Sequence, residues 1–149
     1  MTMHKLKVLF FHLSRACGLF HLSRFLMRRR LLILCFHGIA LDDEANFRPM
    51  LFMRESQFRR RLETIRQHGF PVLPLPAALD ALEDGSLPHN ALSITIDDGF
   101  YNALSKAAPM LSEYGMPATL YLTSYYVEKG APIFRLVVQY MLWKTAAAQ

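Results

Sequence analysis

Asp97 and Asp98 stand side by side, followed by Gly99, at the end of the run Ala91-Leu92-Ser93-Ile94-Thr95-Ile96. Paired carboxylates at such a point suit two tasks: one binds a hard or borderline cation, and the other takes a proton from the water that this cation acidifies. Neighbouring side chains on a strand face opposite ways, so the two acids share a site only if the chain bends, which Gly99 permits. An Asx-type turn closing the strand is the structural alternative for the same residues.

The elements that must position this pair are legible as alternating strands and helices. Residues 91–96 alternate apolar and small hydroxyl side chains, are rich in β-branched types, and lie between Pro88 and Gly99. Three further strand candidates are Leu31 to Phe36, Pro71 to Leu75 and Ala118 to Leu122. Ser56 is placed to cap a helix with Phe58, Leu62 and Ile65 on one stripe and Gly69 past its end, and Arg59, Arg60, Arg61 and Arg66 then form its solvated face. Pro76 opens a second, short helix through Leu79 and Leu82, stopped by Gly85. Leu104, Ala108, Leu111 and Tyr114 keep helical spacing, with a fresh start or kink expected at Pro109. Phe134, Val137, Val138 and Met141 mark a last helix, whose Trp, Tyr and Met residues read as core. Strand, helix, strand in repetition predicts a parallel α/β sheet with right-handed crossovers.

The motif Ser93-Ile94-Thr95-Ile96-Asp97-Asp98-Gly99 resembles the first signature of the polysaccharide deacetylase family, the NodB-homology carbohydrate esterases. Three more stretches resemble that family in order. Ile33-Leu34-Cys35-Phe36-His37-Gly38-Ile39 is similar to its opening strand with an aromatic-His-Gly ending, and Phe58 to Leu75 to its next helix, glycine and strand. Met110 to Leu122, with Gly115-Met116-Pro117-Ala118-Thr119 inside it, resembles its Gly-x-Pro-Ala-Thr turn and the elements on either side. The resemblance covers about residues 31–123, and an ordered set of motifs is far more specific than one.

It implies a distorted (β/α) barrel, here partial, with about four parallel strands and an N-terminal helix. It also implies a divalent-metal hydrolase, with zinc as the expected ion, removing acetyl groups from N-acetylated sugars of a polysaccharide or glycoconjugate. Carried over residue by residue, Asp97 is the general base and Asp98 a metal ligand. The resemblance also puts His37 near the mouth of the site, and Tyr101 and Asn102 just past the acid pair are candidate substrate contacts. Alternatives stand beside these readings: His37 satisfied by backbone at a strand end, and Asn102 capping the next helix.

The chain departs from the family's second signature, His-Ser/Thr-x-x-His, whose histidines complete the metal site. All six histidines, at positions 4, 12, 21, 37, 68 and 89, precede Asp97, and no two are four residues apart. Residues 31–149 are therefore expected to be the N-terminal part of a deacetylase domain, truncated before the metal-binding histidines and inactive or impaired by itself. Four strands in place of about seven leave an open sheet edge suited to self-association. A hydrophobic share of 52% fits a surface awaiting cover. Two other functions stay open: a non-catalytic remnant or interaction module using that edge or the N-terminal arm, and an acetyl-ester esterase of the xylan type.

The net charge of +5 is concentrated in that arm: residues 1–41 hold seven Lys or Arg and no acid, and the remainder ten against twelve. Leu6, Leu9, Phe10, Leu13, Cys17 and Phe20 form a helical stripe beside Lys5, Lys7, Arg15, Arg24 and Arg28-Arg29-Arg30. Residues 1–30 thus read as a basic amphipathic helix that packs on the barrel or lies on an anionic membrane surface. No nucleic-acid-binding module accompanies the charge. The apolar run Val8 to Phe11 is too short for a secretory core, and Cys17 and Cys35 do not make a disulfide scaffold, so a reducing cytoplasm or its membrane surface is the expected location.

Overall fold

A computed structural model describes residues 3–147, so Met1 and Thr2 of the arm and Ala148 and Gln149 of the 31–149 unit lie outside the described residues. Three parallel strands form the main sheet: β1 (Leu32–Phe36), β4 (Leu92–Ile96) and β5 (Ala118–Leu120), in the order β1-β4-β5. A two-stranded parallel pair, β2 (Gly38–Ile39) with β3 (Phe52–Met53), continues from the carboxyl end of β1. The register sets Leu34 beside Ile94 and Phe36 beside Ile96, so the even positions of β1 and β4 share one face. Every residue of the central strand β4 is buried. Its β-branched and apolar residues are the types a doubly covered parallel strand selects.

That even face meets helix α4 (Glu55–Gln67) through buried Phe58, Leu62 and Ile65, with the Phe36 and Phe58 rings edge-on at 5.0 Å. Arg54, not Ser56, occupies the N-cap, and the Gln57 side chain reaches back to accept its N–H at 3.2 Å. Gly69, at φ 63°, ends the helix in the left-handed region, and Phe70 N–H closes back on Ile65. The arginines are more engaged than a solvated face: Arg59 grips Glu113 through both carboxylate oxygens, and Arg66 pairs with Glu63.

Three expectations are corrected. The strand expected at Pro71 to Leu75 is reduced to a parallel bridge between Val72 and Leu92. Pro71 and Pro74 lack N–H donors, and Leu75 already opens α5 (Leu75–Glu83). That helix runs through Leu79 and Leu82 as expected, both exposed, with Leu75 and Ala78 making its buried contacts. The arm is two helices, α1 (Met3–Ala16) and α2 (Leu19–Leu26), separated at Gly18 with φ 71°. Last, α8 (Phe134–Ala147) turns its expected core stripe outward: Phe134 and Met141 are exposed, and Tyr140 and Trp143 pack on Phe47 instead.

Pro109 has the consequence expected of it. Residues Ala103–Ala107 form a π-helical segment, and α6 (Ala108–Glu113) starts afresh with the proline in its first turn.

Candidate functional site

The site lies at the carboxyl ends of β1 and β4. Asp97 N–H donates to Phe36 O at 2.9 Å, extending the β1–β4 ladder one residue past the strand. Odd positions then share a face: Cys35 and His37 from β1 and its extension, Asp97 from β4. The Cys35 thiol donates to Asp97 Oδ2 at 3.3 Å, and donor atoms of Cys35, His37 and Asp97 all lie within 4.8 Å of one another. Partial burial and the neighbouring Asp97 carboxylate push the Cys35 thiol pKa above its ordinary value.

Asp98 leaves this cluster. Its φ of 70° and that of Gly99, 68°, place two consecutive residues in the left-handed region, which turns the chain away from the strand. A Cβ on Gly99 would stand 2.6 Å from Leu122 Cδ2, so a side chain there would be strained by the left-handed backbone and would make Leu122 shift. After the turn Asp98 lines an open groove of about 730 Å³ together with Phe47, Phe100, Tyr101, Tyr126 and Leu136. An adjoining recess of about 610 Å³ shares Asp98 and adds Arg48, Thr123 and Arg135. The two carboxylates thus serve two neighbouring spaces, one on the thiol-imidazole cluster and one on an aromatic groove.

Of the residues singled out from sequence, His37 and Asp97 are brought together, and Asp98 and Tyr101 line the groove. Tyr101 is 73% exposed at its rim. Asn102 stands at the N-cap of the segment Ala103–Ala107, but its side chain makes no capping bond. It is buried and its Oδ1 accepts the Ile39 N–H at 3.2 Å, tying the segment after the acid pair to β2. The sequence pattern assigns no role to Cys35. The signal that marks it is its two-residue spacing from His37, which puts both side chains on one strand face.

The parallel α/β fold is similar to that of solved deacetylases. The polysaccharide deacetylase family model matches residues 84–142. Over that stretch the chain is similar to the polysaccharide deacetylases. YxkH of Bacillus subtilis, which carries a polysaccharide deacetylase designation, is 28% identical over 94 residues, 62% of this chain and 32% of that protein. The poly-β-1,6-N-acetyl-D-glucosamine N-deacetylase of Escherichia coli is 27% identical over 79 residues, 52% of this chain and 12% of that protein. Among solved structures, the Streptococcus pyogenes deacetylase PplD in complex with acetate superposes with a TM-score of 0.60 at 24% identity, covering 67% of this chain and 45% of that one. That likeness concerns the fold. The chain spans about a third of YxkH and about an eighth of the Escherichia coli enzyme.

Proposed function

We propose that this chain supplies the strand-end acid pair of a metal-dependent hydrolase that removes acetyl groups from N-acetylated sugars of a polysaccharide or glycoconjugate. The observation that carries the reading is the divergence of Asp97 and Asp98 at one bend. A base and a metal ligand are thereby set side by side without sharing one environment.

The Asp98 carboxylate faces an open groove and is an oxygen donor of the kind that a borderline cation such as zinc accepts. When bound, the ion polarises the acetyl carbonyl and lowers the pKa of water to ~7. Asp98 holds the ion. Asp97, on the neighbouring face of the bend, accepts the proton of the attacking water. Tyr101 offers an exposed ring on which a sugar face stacks, and His37 lies beside Asp97 where it meets the acetyl end of the substrate.

The test is zinc binding by titration calorimetry. Asp98→Ala is expected to weaken the Asp98-dependent site at least tenfold, whereas the surface change Arg60→Ala leaves it within twofold. Equal affinities in both variants would remove Asp98 from the ligand set.

A second reading, an interaction module, is supported by the outer strands. Each pairs on one side only within the three-stranded sheet, with Leu32, Ile33 and Leu120 exposed. In that reading the chain self-associates through an edge, or its basic arm rests on an anionic membrane. Deacetylation of chitooligosaccharides under any divalent metal decides against it, and a concentration-dependent dimer without such activity supports it.

A further inference from the structure

The cluster of Cys35, His37 and Asp97 has a composition the acid-pair chemistry does not require. A carboxylate acting only as a base needs no thiol bonded to it. Period two along β1 places Cys35 and His37 on the same face, and the β1–β4 register, with Cys35 beside Thr95, brings Asp97 level with His37. Sulfur and carboxylate oxygen are 3.3 Å apart, and all three donors fall within 4.8 Å. Around a tetrahedral zinc with ordinary bond lengths, donor atoms stand about 3.4–3.8 Å apart. The sulfur–oxygen pair is thus already at bonding separation, and the widest pair closes by about 1 Å, a side-chain rotation rather than a backbone movement.

We propose that Cys35, His37 and Asp97 form a three-ligand site for a thiophilic divalent cation of the zinc class, separate from Asp98. One sulfur, one imidazole nitrogen and one carboxylate oxygen suit such an ion and do not suit magnesium or calcium, which select oxygen. Binding replaces the thiol proton: the S–H bond breaks, the sulfur bonds the metal, and one proton passes to solvent. The fourth position faces out from an exposed strand and is filled by water. The site itself does not depend on the deacetylase reading. If that reading holds, an ion here engages Asp97 and withdraws it as a base, so that excess zinc inhibits.

The probe is cobalt(II), titrated into the full chain under a non-thiol reductant and read by its near-ultraviolet thiolate-to-cobalt absorption. The band is expected in the wild-type chain, in Cys17→Ser and in Asp98→Ala. It is expected to vanish in Cys35→Ser and to need at least tenfold more cobalt in His37→Ala, with the circular dichroism of both variants unchanged. Absence of the band from the wild-type chain at saturating cobalt overturns the site, as does its persistence in Cys35→Ser. The two metal proposals fail separately: loss of the calorimetric difference between Asp98→Ala and Arg60→Ala touches only the Asp98 reading, and loss of the thiolate band touches only this one.

Discussion

At the residue scale, the bend after β4 sets a conflict between conformation and chemistry at Asp98. A non-glycine residue at φ 70° is held in a region that costs L-residues about 1–2 kcal/mol, with aspartate among the better-tolerated types. Asp98→Gly removes that cost together with the carboxylate, and Asp98→Ala removes the carboxylate and keeps the cost. Urea unfolding is therefore expected to rank Asp98→Gly above Asp98→Ala by about 1 kcal/mol, with both variants equally impaired in zinc binding; identical stabilities would mean that the left-handed conformation stores no strain. Gly99→Ala combines a left-handed backbone with a clash against Leu122, and is expected to cost about 1–3 kcal/mol, measured the same way. The acid pair and its glycine were legible because strand, bend and carboxylates are local in sequence. Cys35 as the partner of Asp97 was not, since their contact depends on the register between strands 62 residues apart. The bond between Asn102 and Ile39 was hidden for the same reason: the two residues lie on distant segments.

At the element scale, local signals succeeded where one neighbour decides burial and failed where several compete. The α4 stripe Phe58, Leu62 and Ile65 faces the sheet as its spacing required. The α8 stripe does not, because the helix is docked through its other side. Tyr140 O–H donates to Asp43 at 2.6 Å, Lys144 pairs with the same carboxylate, Arg48 donates to Gln139 at 2.7 Å, and Tyr140 and Trp143 pack on Phe47 of α3 (Glu44–Phe47). A helix with apolar residues around much of its circumference leaves the choice of face to such polar anchors. Lys144, and then the Tyr140 hydroxyl, hold the Asp43 carboxyl below its ordinary pKa. A depressed carboxylate contributes stability that is fully present above its unfolded-state pKa and is lost as pH falls through the folded one. Docking of α8 is thus expected to persist at neutral pH and to weaken below the ordinary carboxylate range, near pH 4 and under. Trp143 is the chain's single tryptophan and reports this directly. Its emission is expected to shift to the red on acidification, and Asp43→Asn is expected to show that shifted emission already at pH 7. Coincident emission of variant and wild type at neutral pH would show that Asp43 does not anchor the helix.

At the scale of the whole molecule, the apolar surface and the basic charge coincide at the amino-terminal helices. Leu6, Leu9, Phe10 and Leu13 on α1 and Leu22, Phe25 and Leu26 on α2 are all exposed, although the sequence pattern alone left packing on the barrel equally open. The hairpin is joined to the sheet at its base: Arg24 donates to His68 O at 2.8 Å and lies over the Phe70 ring, and Asn90 N–H donates to Arg28 O at 2.7 Å. Its outer surface stays uncovered, and no helix among the described residues is long and apolar enough to cross a membrane. An anionic membrane surface would suit both features: apolar side chains would enter the headgroup boundary and the cations would meet lipid phosphates. A basic residue near such a surface contributes about 1 kcal/mol, roughly a fivefold change in partitioning. Lys5→Ala/Lys7→Ala is thus expected to lower binding to vesicles rich in phosphatidylserine by roughly 30-fold, with little change for vesicles of neutral phosphatidylcholine, because only the electrostatic part is altered. Raising the salt concentration is expected to reduce wild-type binding toward that of the double variant. Binding that ignores both salt and the two lysines would assign the exposed apolar face to a protein partner or a second copy of the chain, and sedimentation equilibrium of the wild-type chain would then separate those two.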